Sequence, residues 1–381
     1  MQTSYWELSH QQIHYDLIII GAGFAGAWCA LEYLKAKPES KILILERGQI
    51  PTGASTRNAG FACIGSATEM LSDIETMGET ATFDLAEMRY AGIQKILATV
   101  KPEAINYEPC GGYELLHQGE ILEKSKDKLD WINSAIARVT GEEAMFTWES
   151  GAMENLGITG FKAMLKNRCD GAIHSGKLLA ELHRIIIAKG ATILFGQEIT
   201  CLEDSLCQTN PGKSVQIRTL SQKTFQADQI LLCTNAFTHL LSKESKIFPA
   251  RGQVFVTKPI PNLKLHGTFH YDEGFYYFRH LGDRILIGGA RNADFATEQT
   301  TLLETTELIQ KTLEQFLQNH ILKDQNFEIE YRWAGVMGFT HSKMPEIFEI
   351  NSKVHALIAC NGMGVALLPI MAERAIARIL L

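Results

Sequence analysis

The sequence contains no CxxC pair, no HExxH stretch and no GxSxG turn. Those absences remove the locally encoded zinc, dithiol and serine-hydrolase chemistries, and from local spacing no metal site is expected. No apolar run approaches the roughly 20 residues of a membrane-spanning helix. The opening MQTSYWELSHQQ lacks a basic stretch followed by an apolar core, so no signal peptide is expected. There is no excess of positive charge either. With a net charge of −7, neither nucleic acid nor an anionic membrane is an expected partner. The eight cysteines are scattered rather than paired, which points to reduced thiols and a cytoplasmic location. No repeat, low-complexity tract or Pro/Ser-rich linker divides the 381 residues, a length sufficient for two domains.

What is present begins at 16–20, where the apolar run DLIII flows into GAGFAG at 21–26. KILILE follows and ends on Glu46. The pattern predicts a buried strand, a glycine-rich turn, a helix and a second strand closed by a carboxylate. Gly21 permits the turn, Gly23 admits a pyrophosphate close to the backbone, and Gly26 lets helix pack on strand. The helix opening through Phe24 and Ala25 directs its positive end at the phosphates. Glu46, with Arg47 beside it, stands where an acid can accept hydrogen bonds from an adenosine ribose. The segment therefore predicts an adenine dinucleotide site.

Farther along, 64–100 reads as helical with breaks, 107–116 as a strand pair about Gly111 and Gly112, and 119–139 as an amphipathic helix. A helix at 176–189 leads into a strand at 191–195, and 229–235 is a buried strand. RGQVFVTKPI, FYYFRH and RILIGGA alternate like antiparallel strands; a helix at 301–318 and a strand about 327–333 follow. A strand at 354–360 then enters NGMG and a closing helix. The expected fold class is α/β: an interrupted Rossmann-like dinucleotide domain (1–90, 155–248 and 334–381) and a second domain on a mostly antiparallel sheet with helices (91–154 and 249–333).

A second small-residue segment, GASTRNAGFACIG at 53–65, closely follows the acid-tipped strand. Here the chain resembles the D-amino-acid-oxidase-like family of FAD-dependent oxidoreductases, whose members include glycine, sarcosine and γ-glutamylputrescine oxidases. The resemblance implies that Ser55, Thr56, Arg57 and Asn58 lie near the phosphates or ribityl chain, Thr56 replacing the family's usual glycine. It places Ala59, Gly60 and Phe61 against the isoalloxazine. It extends over most of the chain through SYWEL, GAIHSGKLLAEL (with Ser175 replacing proline), QEITCLE, CTNAF, WAGVMGF and NGMGVALLP. These imply a backbone contact to adenine at Ile199, a turn beside the pyrophosphate at Thr234, Asn235 and Ala236, and a flavin-side strand at Gly335. The turn Asn361, Gly362, Met363, Gly364 and Val365 opens a helix whose N–H groups and dipole favour the negative charge of reduced flavin.

Departures from the family pattern concern the substrate. Met337 stands where amino-acid-oxidising relatives carry a carboxylate-pairing arginine, and a thioether cannot make that bidentate ion pair. Sarcosine oxidase places its flavin-linking cysteine near the same position, so Met337 also implies non-covalent FAD. The family's oxygen-activating lysine aligns near Leu286. Strand alternation puts Tyr277 and Arg279 on one face, and with Met337 they are the expected catalytic-site residues. The expected activity is oxidation of a C–N bond of an amine or amino-acid-like substrate by hydride transfer to FAD, with oxygen or another electron acceptor. The alternatives are a flavin dehydrogenase serving a quinone or protein acceptor, and a flavoprotein whose structural FAD supports a binding surface. Oligomeric state is left open.

Overall fold

The computed structural model describes residues 4–6, 13–199, 206–207, 214–242, 245–323, 325–358 and 360–381. Part of the expected SYWEL arm and of QEITCLE, at 7–8 and 200–203, lies outside them. The chain forms two compact units. One comprises Met1–Thr56, Gly176–Ala250 and Met337–Leu381; the other Arg57–Ser175 and Arg251–Val336. Residues 57–90 and 155–175, expected with the dinucleotide domain, thus share their contacts with the second unit.

The first unit is built on a largely parallel sheet in the order Glu346–Asn351, Val354–Ile358, Thr224–Leu232, His14–Ile20, Ile42–Leu45, Thr192–Leu194. Ile18 stands opposite both Ile230 and Leu43 in parallel register. Leu17, Ile18 and Ile19 have no exposed surface, which explains why this central strand is a continuous apolar run rather than an alternating one. At its carboxyl end the chain turns into the helix Phe24–Ala36, which packs with the closing helix Gly364–Ile379. A Cβ on Gly26 would lie 2.0 Å from the Gly21 carbonyl oxygen, so only glycine lets the helix start so close to the strand. The sequence places this βαβ start within a residue or two.

In the second unit the order is Ile329–Phe339, Phe248–Thr257, Arg284–Gly289, Tyr276–Leu281, Thr268–Tyr271, Gly112–Leu116, Ala163–Asn167, Phe146–Trp148. Thr268–Tyr271 and Gly112–Leu116 run parallel within an otherwise mostly antiparallel sheet. One face carries Phe255, Phe269, Phe278, Ile285 and Ile287 against Leu313, Phe316 and Leu317 of the amphipathic helix Glu307–His320. The other gathers Val254, Val256 and Leu286 with Ala59, and it is the face of Tyr277. Alternation along Tyr276–Leu281 holds: Tyr276 stacks on Phe316, and Tyr277 turns the opposite way.

The strand pair expected at 107–116 does not form. Gly112–Leu116 is a single strand taken up by Ala163–Asn167 and Thr268–Tyr271, while Glu108 bridges Ala172. Partners distant in sequence outcompete the local hairpin. Among the described residues, no helix is long and apolar enough to cross a membrane.

Candidate active site

In the first unit the glycine turn is held by a carboxylate. Glu46, 9% exposed at the end of Ile42–Leu45, accepts from the Ala22 N–H through Oε2 and from the Gly48 N–H through Oε1, each at 3.0 Å. His183 supports the same turn at 2.8 Å from the Ala22 carbonyl. Burial lowers its pKa and favours the neutral ring. The sequence carries no local signal for this histidine, since its partner lies 161 residues away.

The helix Phe24–Ala36 receives no side-chain cap from Gly23. Ser55 acts instead, its Oγ accepting from the Phe24 N–H at 2.8 Å. A Cβ on Gly23 would come within 2.8 Å of that oxygen, so the glycine makes room for the Ser55 cap and keeps the backbone at the helix start open to approach. An N-terminus of this kind accepts an anionic pyrophosphate, and these residues fit the group. Arg47 is exposed, and its guanidinium lies 4.0 Å from the Phe237 ring centroid. Ile199 is buried with the sheet core. Thr234 bonds Thr238 between hydroxyls at 2.8 Å, while Asn235 adopts a left-handed backbone beside buried Ala236.

At the other end of this unit, Asn361 and Gly362 both adopt positive φ before the helix Gly364–Ile379. The Asn361 side chain accepts from the Thr340 N–H at 2.9 Å and donates to the Lys343 carbonyl at 2.7 Å. It braces the turn. No side chain caps this helix at Met363, so its first N–H groups, at Gly364 and Val365, lack partners within the helix. Met337 is half-buried, its sulfur 3.6 Å from where a Gly362 Cβ would stand.

The second unit holds the rest of the GASTRNAGF segment. Asn58 Oδ1 accepts from the Gly60 N–H at 2.8 Å and from the Ser175 hydroxyl at 2.6 Å. Gly60 has φ +74°, and a Cβ there would lie 2.3 Å from the Ile173 carbonyl oxygen. Arg57 donates to the Ala334 carbonyl at 2.8 Å and accepts at its own carbonyl from Trp333 Nε1 at 2.9 Å, which draws Gly335 against it.

Arg279 is tied to the backbone around Gly60. Its guanidinium donates to the Gly60 carbonyl at 2.6 Å, to Ile173 O at 3.0 Å and, through Nε, to His280 O at 3.0 Å. Burial lowers its pKa. The residue occupies the expected face, with Nη1 and Nε donating to backbone carbonyls.

Beside this knot lies an aromatic wall. Phe61 meets Tyr277 edge-on at 6.2 Å and His270 at 5.2 Å, with Trp333 packed on the same apolar cluster. Burial pushes the His270 pKa down to about 4 and the Tyr277 phenol up to about 12, so both are neutral over the physiological range. Leu286 is buried in the cluster. From the sequence His270 is a weak candidate, because a lone histidine more often satisfies hydrogen bonds than serves a site.

Residues 16–378 match the family model described as DAO, FAD dependent oxidoreductase. A probable oxidoreductase OrdL of Haemophilus influenzae is 23% identical over 363 residues, covering 93% of this chain and 80% of that protein. The gamma-glutamylputrescine oxidoreductase of Escherichia coli K12 is 23% identical over 379 residues, covering 93% and 81%. The structure of glycine oxidase from Geobacillus kaustophilus superposes with a TM-score of 0.76 at 20% identity, covering 96% of this chain and 95% of that one. The glycine turn, the Ser55-capped helix and the matched family model lead to one assignment: this chain belongs to the DAO family and is an FAD-dependent oxidoreductase.

Proposed function

We propose that the protein oxidises the C–N bond of an amine whose reacting carbon bears no carboxylate, yielding an imine that water hydrolyses. The observation that carries this reading is the state of the cations. By the family resemblance Met337 takes the position of the carboxylate-pairing arginine, and Arg279 commits Nη1 and Nε to the carbonyls of Gly60, Ile173 and His280. A carboxylate on the reacting carbon would meet neither a cation at 337 nor the committed donors of Arg279, leaving Arg291, which interacts electrostatically with Tyr277, as a cation beside this wall, and a buried carboxylate without a close partner is costly. A neutral amine is accommodated by the same wall.

FAD, when bound, supplies the two-electron acceptor. The protein's part is orientation and exclusion of water. Glu46, Ser55 and the helix starting at Phe24 would hold the adenosine and pyrophosphate. The Asn58–Gly60–Arg279 knot fixes the backbone that leads into Phe61. Phe61, Tyr277 and Trp333 offer apolar surface to a substrate, with the Tyr277 hydroxyl as a neutral donor. The similarity to gamma-glutamylputrescine oxidoreductase supports an acylated diamine as one candidate substrate.

Leu286, apolar and buried where relatives carry an oxygen-activating lysine, favours a second reading for the other half-reaction, with electrons leaving to a quinone or protein instead of oxygen. Anaerobic flavin bleaching tests the substrate: mono- and diamines and their acylated forms should bleach the protein faster than glycine, sarcosine or simple D-amino acids. Equal or faster bleaching by those amino acids would refute the proposal. Reoxidation of the bleached enzyme by air, compared with a soluble quinone, separates the acceptors.

A further inference from the structure

Glu108, His266 and His280 are remote in sequence, yet they meet in the antiparallel unit. Glu108 Oε1 lies 2.8 Å from His266 Nε2, and Oε2 lies 2.9 Å from His280 Nε2. The two imidazoles stack with centroids 4.4 Å apart at 22°. One donor atom from each residue falls within 4.8 Å of the other two.

The scaffold around the three is fixed from separate directions. Glu108 exchanges both backbone hydrogen bonds with Ala172, each at 2.9 Å. His280, 6% exposed, is held in the strand Tyr276–Leu281 with Nδ1 2.9 Å from Gly267 N and 3.2 Å from Gly267 O. The Gly267 N–H donates to Nδ1, so the neutral ring carries its proton on Nε2, facing Glu108. A cation bound at Nε2 requires that proton to move to Nδ1, where the Gly267 carbonyl at 3.2 Å can accept it while the Gly267 N–H gives up its acceptor. A backbone carbonyl on the non-coordinating nitrogen is the outer support that orients metal-bound histidines. His266 is mostly exposed and leaves a route from solvent.

We propose that Glu108, His266 and His280 form a divalent-cation site of zinc type, completed by solvent, which fastens segment 107–111 to the strand Tyr276–Leu281. Two imidazoles and one carboxylate suit zinc better than magnesium or calcium. Tetrahedral zinc, with bonds of about 2.0–2.2 Å, spaces its ligand atoms about 3.4 Å apart, so the hydrogen-bonded pairs must open from 2.8 and 2.9 Å while the widest pair, within 4.8 Å, draws in. No spacing rule finds this set, since Glu108 is 158 residues from His266.

The test uses untagged, chelator-treated holoprotein titrated calorimetrically with zinc alone, above the ordinary imidazole pKa of about 6.5. One zinc per chain should bind, and His266→Ala and Glu108→Gln should each weaken it by at least the 10–100-fold that outer-shell losses cost. His266 is exposed, so its variant keeps the fold, which an unchanged flavin spectrum verifies. Zinc should raise the Tm of the parent and not that of His266→Ala. Absence of saturable one-to-one binding, or variants that bind zinc as tightly as the parent, overturns the proposal.

Discussion

Replacing Glu46 with glutamine preserves shape and removes charge, and the structure defines what that does. Each carboxylate oxygen accepts one backbone N–H, from Ala22 and from Gly48. An amide has one oxygen, so its NH2 must face one of these N–H groups, donor against donor. The lost charge-assisted bond is worth about 1.5–3 kcal/mol. Ala22 lies inside the glycine turn, so this loss reaches the pyrophosphate site as well as any ribose contact. The carboxylate's contact to the ribose, a charge-assisted bond of the same class, is lost as well, so FAD should bind about 10–150-fold more weakly to Glu46→Gln. Titrating apoprotein with FAD, followed by quenching of flavin fluorescence, gives the ratio directly, and the apoprotein Tm should fall in parallel. A lowered Tm with unchanged FAD affinity would show that Glu46 braces the turn and touches no cofactor, and the ribose assignment would fail.

Three further outcomes are expected. Arg279→Met strips donors from Gly60 O and Ile173 O and should destabilise the protein by about 1–3 kcal/mol, weakening FAD while leaving KM for different amines in the same order; a KM rise confined to acid-bearing amines would restore Arg279 as a substrate anchor. His270 is held neutral by burial down to a pKa of about 4, so between roughly pH 6.5 and 4 the unfolded chain binds a proton that the folded one does not. Stability should thus fall on acidification through that window by up to about 1.4 kcal/mol per pH unit, and His270→Gln should flatten the slope seen in denaturant titrations. Acid precipitation should leave all the yellow colour in the supernatant, since Met337 stands where a linking cysteine would; colour in the pellet would show a covalent bond.

The dinucleotide half was the more legible because its chemistry is local. Gly21, Gly23, Gly26 and Glu46 sit within one βαβ turn, and the same short-range sterics that shaped the motif appear in the structure. The alternation that put Tyr277 and Arg279 on one face also held, because a strand's period of two is a property of the backbone. What alternation cannot report is the partner: Arg279 was legible as facing inward, while its attachment to Gly60 and Ile173, 219 and 106 residues away, was not. His183 and the Glu108–His266–His280 cluster escaped for the same reason. The hairpin read at 107–116 shows the converse error, a local turn signal overruled by strands arriving from 163–167 and 268–271.

The pairing of His14–Ile20 with Thr224–Leu232 has a consequence for biosynthesis. Its partner on that side follows roughly 210 residues later in the chain. At translation rates of about 5–20 residues per second, the strand waits on the order of 10–40 s with one edge unpaired. Its residues are among the most apolar in the chain, and an open apolar edge recruits other strands. Newly made protein should therefore depend on a holdase during that interval, and slowing synthesis between residues 46 and 224 should lower soluble yield without changing the stability of the molecules that do fold.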